Sequence, residues 1–107
     1  MPPVAFSSLC CSRAYQKTDG YRTFLKVFEK AKEWVRTAPP PEVAAAESSF
    51  FPDIAPELLA STIARYQALG CWEGGIEIPR DLYEQALNVF QSAQLIAWRH
   101  RYEEVVG

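Results

Sequence analysis

PELLASTIARYQALGCW, at residues 56–72, lies within the stretch from Ser48 to Gly107 on which the fold prediction depends. Its apolar residues recur at helical spacing, so the segment predicts an amphipathic helix from Pro56 to about Leu69. The predicted stripe is Leu58, Leu59, Thr62, Ile63, Tyr66 and Leu69. Gly70 is the expected C-terminal cap, because glycine adopts positive φ without steric cost. Trp72 follows the cap, where we expect an apolar side chain to fold back on the last turn.

Two helices are predicted before this stretch. The first runs from Tyr21 to about Thr37, and Pro39-Pro40-Pro41 ends it because proline cannot continue a helix. Its predicted stripe is Tyr21, Phe24, Leu25, Phe28, Ala31 and Val35, with Val27 and Trp34 beside it. The second is a short, alanine-rich helix over Glu42–Ser48, with Pro41 at its first position.

Two further features frame the central stretch. Phe50-Phe51-Pro52-Asp53 predicts an apolar turn, in which one phenylalanine fills a gap between helices. Pro79 opens a third long helix. The stripe of that helix is Leu82, Ala86, Val89, Phe90, Ala93 and Ile96. Residues 95–101 end it or turn away, and Tyr102–Val106 forms a last turn.

The amino-terminal segment holds the one good strand candidate, Val4–Cys11. A lone strand is not stable by itself, so it pairs with its copy in a homodimer, lies against the helices, or belongs to a larger sheet. Ser7 and Ser8 within it are candidate ligand-binding hydroxyls; the alternative is that they face solvent or backbone. A short helical turn is expected over Arg13–Lys17, with Thr18-Asp19-Gly20 as its end.

Composition limits the possible functions. The chain has 107 residues, enough for a single domain over residues 1–107, and 49% of them are hydrophobic. A net charge of −2 gives no basic footprint, so no nucleic-acid partner is expected. No run of apolar residues is long enough to span a membrane. Met1-Pro2-Pro3 lacks the charged and apolar regions of a signal peptide.

The residues that carry chemistry are sparse. His100 is the single histidine and is expected at the surface, and no nucleophile, base and orienting group can be named together. We therefore expect no enzyme, no cofactor and no metal site. Cys10, Cys11 and Cys71 are expected to be small buried hydrophobes. Five aromatic residues are expected in helix packing rather than in a ligand cage: Trp34, Phe50, Tyr66, Trp72 and Trp98.

Several motifs occur in a specific order. They are a helix ending in Trp34-Val35, the Pro41-Glu42-Val43-Ala44 run, the Phe50-Phe51-Pro52-Asp53 turn, the Arg65-Tyr66 pair leading to Gly70 and Trp72, the Ile78-Pro79-Arg80 start, Ala93-Gln94-Leu95-Ile96, and Tyr102-Glu103-Glu104-Val105-Val106. Together they resemble the carboxyl-terminal part of the NMT1/THI5-like (SsuA-like) solute-binding proteins of ABC importers. Cys10-Cys11 and the link at residues 73–77 depart from that family's pattern.

The resemblance implies a mainly α chain: a helical fragment of an α/β periplasmic-binding-protein lobe with one short amino-terminal strand. It implies the last part of lobe one of a two-lobe, exported protein that captures a small molecule and delivers it to an ABC permease. The family's ligands include sulfonates, nitrate-like anions, taurine and thiamine-type pyrimidines, and these alternatives stay open. The competing interpretation is a stand-alone helical interaction or scaffold module without a ligand.

Overall fold

The structure is a computed structural model that describes residues 7–106. Within that range the regular structure is helical, and no residue is in a strand, which confirms the mainly α prediction. The α-helices are α1 (Asp19–Thr37), α2 (Pro40–Glu47), α3 (Pro56–Ala68), α4 (Arg80–Ser92) and α5 (Tyr102–Val105). Short 3-10 turns occupy Tyr15–Lys17 and Ser48–Phe50.

The described chain divides into two compact units, and the prediction of a single domain stays a prediction. The central unit comprises residues 14–76, with α1, α2 and α3. The terminal unit comprises residues 7–13 and 77–106, with α4 and α5.

Helix α1 begins two residues earlier than predicted, at Asp19. The hydroxyl of Thr18 accepts a hydrogen bond from the Tyr21 amide at 3.1 Å, and it donates to the Tyr15 carbonyl at 2.7 Å. Thr18 is therefore the N-cap of α1, a position that favours threonine because its oxygen satisfies a free amide of the first turn. The Thr18-Asp19-Gly20 run starts a helix as well as ending the preceding turn.

Helices α2 and α3 form the core of the central unit. Val43 and Ala44 of α2 pack with Leu59 and Ile63 of α3, all four being buried. The end of α1 joins this core through Ala38, and the side-chain amide of Gln67 donates to the Val35 and Ala38 carbonyls at 2.8 and 2.9 Å. These bonds satisfy carbonyls at the α1 terminus that helix geometry leaves without partners.

The predicted bounds need a small correction for α2 and none for α3. Helix α2 begins at Pro40 rather than Glu42, because Pro40 and Pro41 both fit its first turn, where an amide hydrogen is not needed. Helix α3 runs from Pro56 to Ala68 with Leu69 as C-cap, as the sequence predicts.

The strand prediction is wrong over the described part of its range. Ser7–Cys11 is irregular and exposed, and Val4 to Phe6 lie outside the described residues. A strand requires a neighbouring strand for its backbone hydrogen bonds, and none exists within residues 7–106. The 3-10 turn at Tyr15–Lys17 replaces the helical turn expected from Arg13.

The prediction that the cysteines are buried is also wrong. Cys10, Cys11 and Cys71 are exposed free thiols. Cys10 and Cys11 lie in the irregular segment, where no packed layer covers them. Cys71 follows the end of α3, and the next residue, Trp72, packs on the core instead.

Candidate functional site

The end of α3 is a hydrogen-bonded turn that leads to Trp72. Gly70 has a φ of 74°, the Gly70 amide donates to the Gln67 carbonyl, and the Cys71 amide donates to the Tyr66 carbonyl, each at 3.1 Å. This pair of bonds is a Schellman motif, which satisfies free carbonyls of the last turn. It confirms the predicted glycine cap and fixes the direction in which the chain leaves the helix.

Trp72 returns to the helix that precedes it. Its ring meets the Tyr66 ring edge to face, with centroids 5.8 Å apart and planes at 76°. The side chain is half-buried against the cluster of α2 and α3. Such aromatic pairs add stability beyond the area they bury. Trp72 therefore packs on its own helix, as the sequence predicts.

A shallow depression of about 300 Å³ lies beside Trp72. Its walls are Glu29, Lys32, Glu33, Trp72, Gly74, Gly75 and Ile76. The ammonium of Lys32 donates to the Gly75 carbonyl and so ties the 73–76 link to α1. The depression combines one aromatic face with charges of both signs, which does not select a cation or an anion.

Arg36 contacts two carboxylates beside this depression, those of Glu33 and Glu73. Its guanidinium donates two hydrogen bonds to the Glu33 carboxylate, at 2.6 and 3.1 Å, and lies 3.7 Å from Glu73. The hydrogen bonds from Arg36 hold the pKa of Glu33 below its usual value. The same contact raises the pKa of Arg36. Arg36 and Glu33 are thus a paired surface group, not an acid and base poised for proton transfer.

The candidate ligand hydroxyls are not assembled into a site. Ser7 and Ser8 are exposed in the irregular segment of the terminal unit. Among the described residues, no group of three or more histidine, cysteine, aspartate or glutamate side chains could hold a metal ion. In residues 7–106 no helix is both long and apolar enough to cross a membrane.

The aromatic residues expected in the core are more exposed than predicted. Phe50 is 78% exposed and Phe51 is 43% exposed, so neither fills a gap between the helices of the central unit. Trp34, Tyr66 and Trp98 are 41%, 46% and 69% exposed. The exposed faces of these aromatic rings are not covered by the described residues. Pro79 is in its expected place, immediately before the first residue of α4.

A network of aromatic and ionic contacts binds α5 to α4 in the terminal unit. Tyr102 donates its hydroxyl to the Ile78 carbonyl and packs edge to face on Tyr83, with centroids 5.6 Å apart. Arg80 lies 4.6 Å above the Tyr102 ring and pairs with Glu103. A cation over an aromatic face is attractive, so Tyr102 holds α5 at the start of α4.

Arginines and a histidine surround the acidic residues of this terminal network. Arg99 donates to Glu84 and Asn88, at 2.7 Å each. Arg101 donates to Glu104 at 2.6 Å, and His100 lies 3.3 Å from the same carboxylate. The hydrogen bond from Arg101, and then that from His100, lowers the pKa of Glu104. Arg80 lowers the pKa of Glu103 in the same way.

His100 is exposed, as predicted, and it makes two contacts within the terminal unit besides the one with Glu104. Its carbonyl accepts a hydrogen bond from the Tyr83 hydroxyl at 2.7 Å, and its ring lies 4.5 Å from that of Trp98. No nucleophile accompanies His100 in these contacts. The arrangement anchors the carboxyl-terminal segment.

Gln94 is a special position that the sequence interpretation missed. Its φ is 60°, in the left-handed region, and the Leu95 amide donates to the Phe90 carbonyl at 2.9 Å. The end of α4 therefore repeats the geometry at Gly70 with a side chain in the glycine position. No sequence signal marks this cap, because glutamine rarely adopts positive φ.

Comparisons of the chain with protein-family models, with curated proteins and with solved structures returned no match.

Proposed function

We propose that the chain is the carboxyl-terminal part of lobe one of an NMT1/THI5-like solute-binding protein, with no catalytic activity of its own. In this role its helices support a lobe whose other segments contact the ligand. The full protein captures a sulfonate, nitrate-like anion, taurine or thiamine-type pyrimidine and delivers it to an ABC permease. The proposal places the protein outside the cytoplasmic membrane.

One observation carries the proposal beyond the order of motifs. Apolar residues of the resembling motifs are exposed: Phe50 and Phe51 of the Phe-Phe-Pro-Asp turn, Tyr66 and the neighbouring Leu69, which is 66% exposed. Leu58 and Ile54 extend the same kind of surface. Exposed apolar side chains that lie together in a patch are typical of a surface that packs against another structure. The remainder of a lobe is such a structure.

The helical pattern of α3 supports the same conclusion. Leu59 and Ile63 face α2 and are buried, whereas Leu58 and Leu69 lie on a different face of the helix and are exposed. A helix apolar on more than one face is usually covered on more than one face. Within the described residues α3 packs on α2 and contacts the end of α1 through Gln67, while its face with Leu58 remains exposed for a further partner.

The proposal is tested first by grafting. The carboxyl-terminal segment of a taurine-binding member of the family is replaced by this chain, and thermal unfolding of the graft is measured. We expect one cooperative transition, because the exposed surface of α3 packs on the sheet of the host lobe. Leu58→Asp should lower the melting temperature of the graft, whereas the matched control Ser61→Asp, on an exposed position of the same helix, should not. An insoluble graft, or a graft in which the two variants behave alike, would count against the proposal.

A second experiment concerns the chain alone. Titration calorimetry with taurine, an alkanesulfonate, nitrate and a pyrimidine should show no binding, because Ser7 and Ser8 do not converge with other polar groups on a cavity. Stoichiometric micromolar binding of any of the four would mean that this chain holds a ligand site by itself. The alternative function, a helical interaction module, would be favoured by a chain that folds well alone but does not complete the graft.

A further inference from the structure

Helix α1 has an apolar face that the central unit does not cover. Phe24 is 44% exposed, Val27 is 60% exposed and Trp34 is 41% exposed. Ala31 lies between them and Gly20 lies near the start of the helix, and both are exposed. We call these five residues the outer seam: Gly20, Phe24, Val27, Ala31 and Trp34. The side chains of Leu25, Phe28 and Val35 are more buried and lie on the side of α1 that faces its own unit.

The spacing of the outer seam indicates the kind of structure that fits it. Its members follow one another at intervals of four, three, four and three residues. This alternation keeps apolar residues in line along one side of a helix, and it is the pattern with which one helix packs lengthwise against another. The occupant indicated by the spacing is therefore a helix.

We propose that the occupant is α1 of a second copy of this chain, antiparallel and related by a two-fold axis beside Val27. Val27 lies midway between Gly20 and Trp34 and close to midway between Phe24 and Ala31. The axis therefore sets Phe24 opposite Ala31 of the second copy, and Trp34 opposite Gly20 of the second copy. Large side chains face small ones along the whole seam, which is how facing helices fill the space between them.

The surroundings of the seam fit this arrangement. Beyond Gly20 the Tyr15 hydroxyl lies 3.4 Å from the position of a β-carbon, so Trp34 of the second copy meets an aromatic ring as well as the glycine. The seam itself carries no charge. The flank of the seam beside Trp34 carries charges of both signs, Lys26 and Lys30 together with Glu29 and Glu33. A self-complementary surface of this type is the basis of two-fold dimers.

The test is light scattering after gel filtration of the full chain at micromolar concentration. We expect a dimer. Val27→Asp, which sets two carboxylates against each other at the axis, should weaken the dimer at least about tenfold. The control Ser61→Asp adds the same charge on α3 and should leave the dimer intact. A monomeric unmodified chain, or a Val27→Asp dimer of unchanged affinity with circular dichroism showing intact helix, would overturn the proposal.

A size exchange tests the register of the seam. Ala31→Phe alone sets phenylalanine against phenylalanine and should weaken the dimer. The double variant Phe24→Ala with Ala31→Phe returns one large and one small residue to each facing pair and should restore the dimer. A double variant as weak as the single one would overturn the register. This test remains decisive if Val27→Asp reduces folding.

A dimer that forms through the amino-terminal segment instead would be sensitive to Phe6→Asp. We expect Phe6→Asp to leave the dimer unchanged, and loss of the dimer in that variant would overturn the assignment to α1. The inference is independent of the proposed function, because the graft depends on α3 and the dimer depends on α1.

Discussion

Trp72 packs edge to face on Tyr66, six residues earlier, across the turn that Gly70 creates. The contact holds Trp72 against the last turns of α3, immediately before the link at residues 73–76. The Lys32 ammonium ties that link to α1. A short local motif thus connects two helices of the central unit.

Trp72→Ala should destabilise the chain by about 2 kcal/mol, less than the roughly 3–5 kcal/mol of a fully buried large aromatic, because the ring is half-buried. Urea unfolding followed by circular dichroism measures the change. Trp98→Ala is the matched control, since that ring is 69% exposed, and it should change the unfolding free energy little. Equal effects of the two variants would show that the Tyr66 contact contributes nothing specific.

Gly70→Ala should cost about 1 kcal/mol, because a β-carbon at a φ of 74° is sterically unfavourable. Gly75→Ala should be tolerated, since a β-carbon there has open space. Thermal unfolding of the two variants gives the comparison. A Gly75→Ala variant less stable than Gly70→Ala would contradict the assignment of Gly70 as the cap.

Gln94→Gly should raise the unfolding free energy by about 0.5–1 kcal/mol, because it relieves a side chain held at positive φ. Gln91→Gly, in the last turn of α4, should lower the unfolding free energy, since glycine weakens a helix. The opposite signs of two glutamine-to-glycine changes three residues apart are the diagnostic result. Destabilisation by both would mean that the Gln94 backbone is not strained.

The lowered pKa values of Glu103 and Glu104 make the terminal unit sensitive to acid. A carboxylate whose pKa is lower in the folded state stabilises the fold above its unfolded pKa, and this stability is lost as pH falls through the folded pKa. We therefore expect the melting temperature to fall on acidification below the ordinary glutamate pKa. The contribution is modest, because both groups are exposed.

Arg80→Gln tests whether the Arg80 guanidinium is the cause of the lowered pKa of Glu103. Removal of the guanidinium should raise the pKa of Glu103 toward its ordinary value, as carbon-13 NMR of the side-chain carboxyl would detect. Lys17→Gln removes a charge from the central unit and serves as the control. An unchanged Glu103 titration in Arg80→Gln would show that the ion pair does not form in solution.

The helices and one cap were predictable because their signals are local. The helical spacing of apolar residues and the glycine cap at Gly70 predict where α3 runs and where it ends. Both signals depend only on residues close in sequence. Thr18 was misassigned because a threonine, aspartate and glycine run is equally typical of a turn and of a helix start. Gln94 gives no signal, since its conformation is imposed by the surrounding fold.

Burial was less predictable than helix position. The apolar stripe of α3 divides into buried Leu59 and Ile63 and exposed Leu58 and Leu69, a difference that depends on which neighbour is present. Phe50, Phe51 and the three cysteines are exposed for the same reason. The sequence pattern predicts that one face of a helix is apolar, whereas burial of that face requires a neighbouring element that covers it.

The affinity of the grafted binding protein for taurine tests the central proposal most directly. Titration calorimetry should give a dissociation constant within about tenfold of the unaltered host, because this chain supports the lobe while the host supplies the ligand contacts. A graft that unfolds cooperatively but releases no heat with taurine would contradict the proposal that these helices complete a solute-binding lobe.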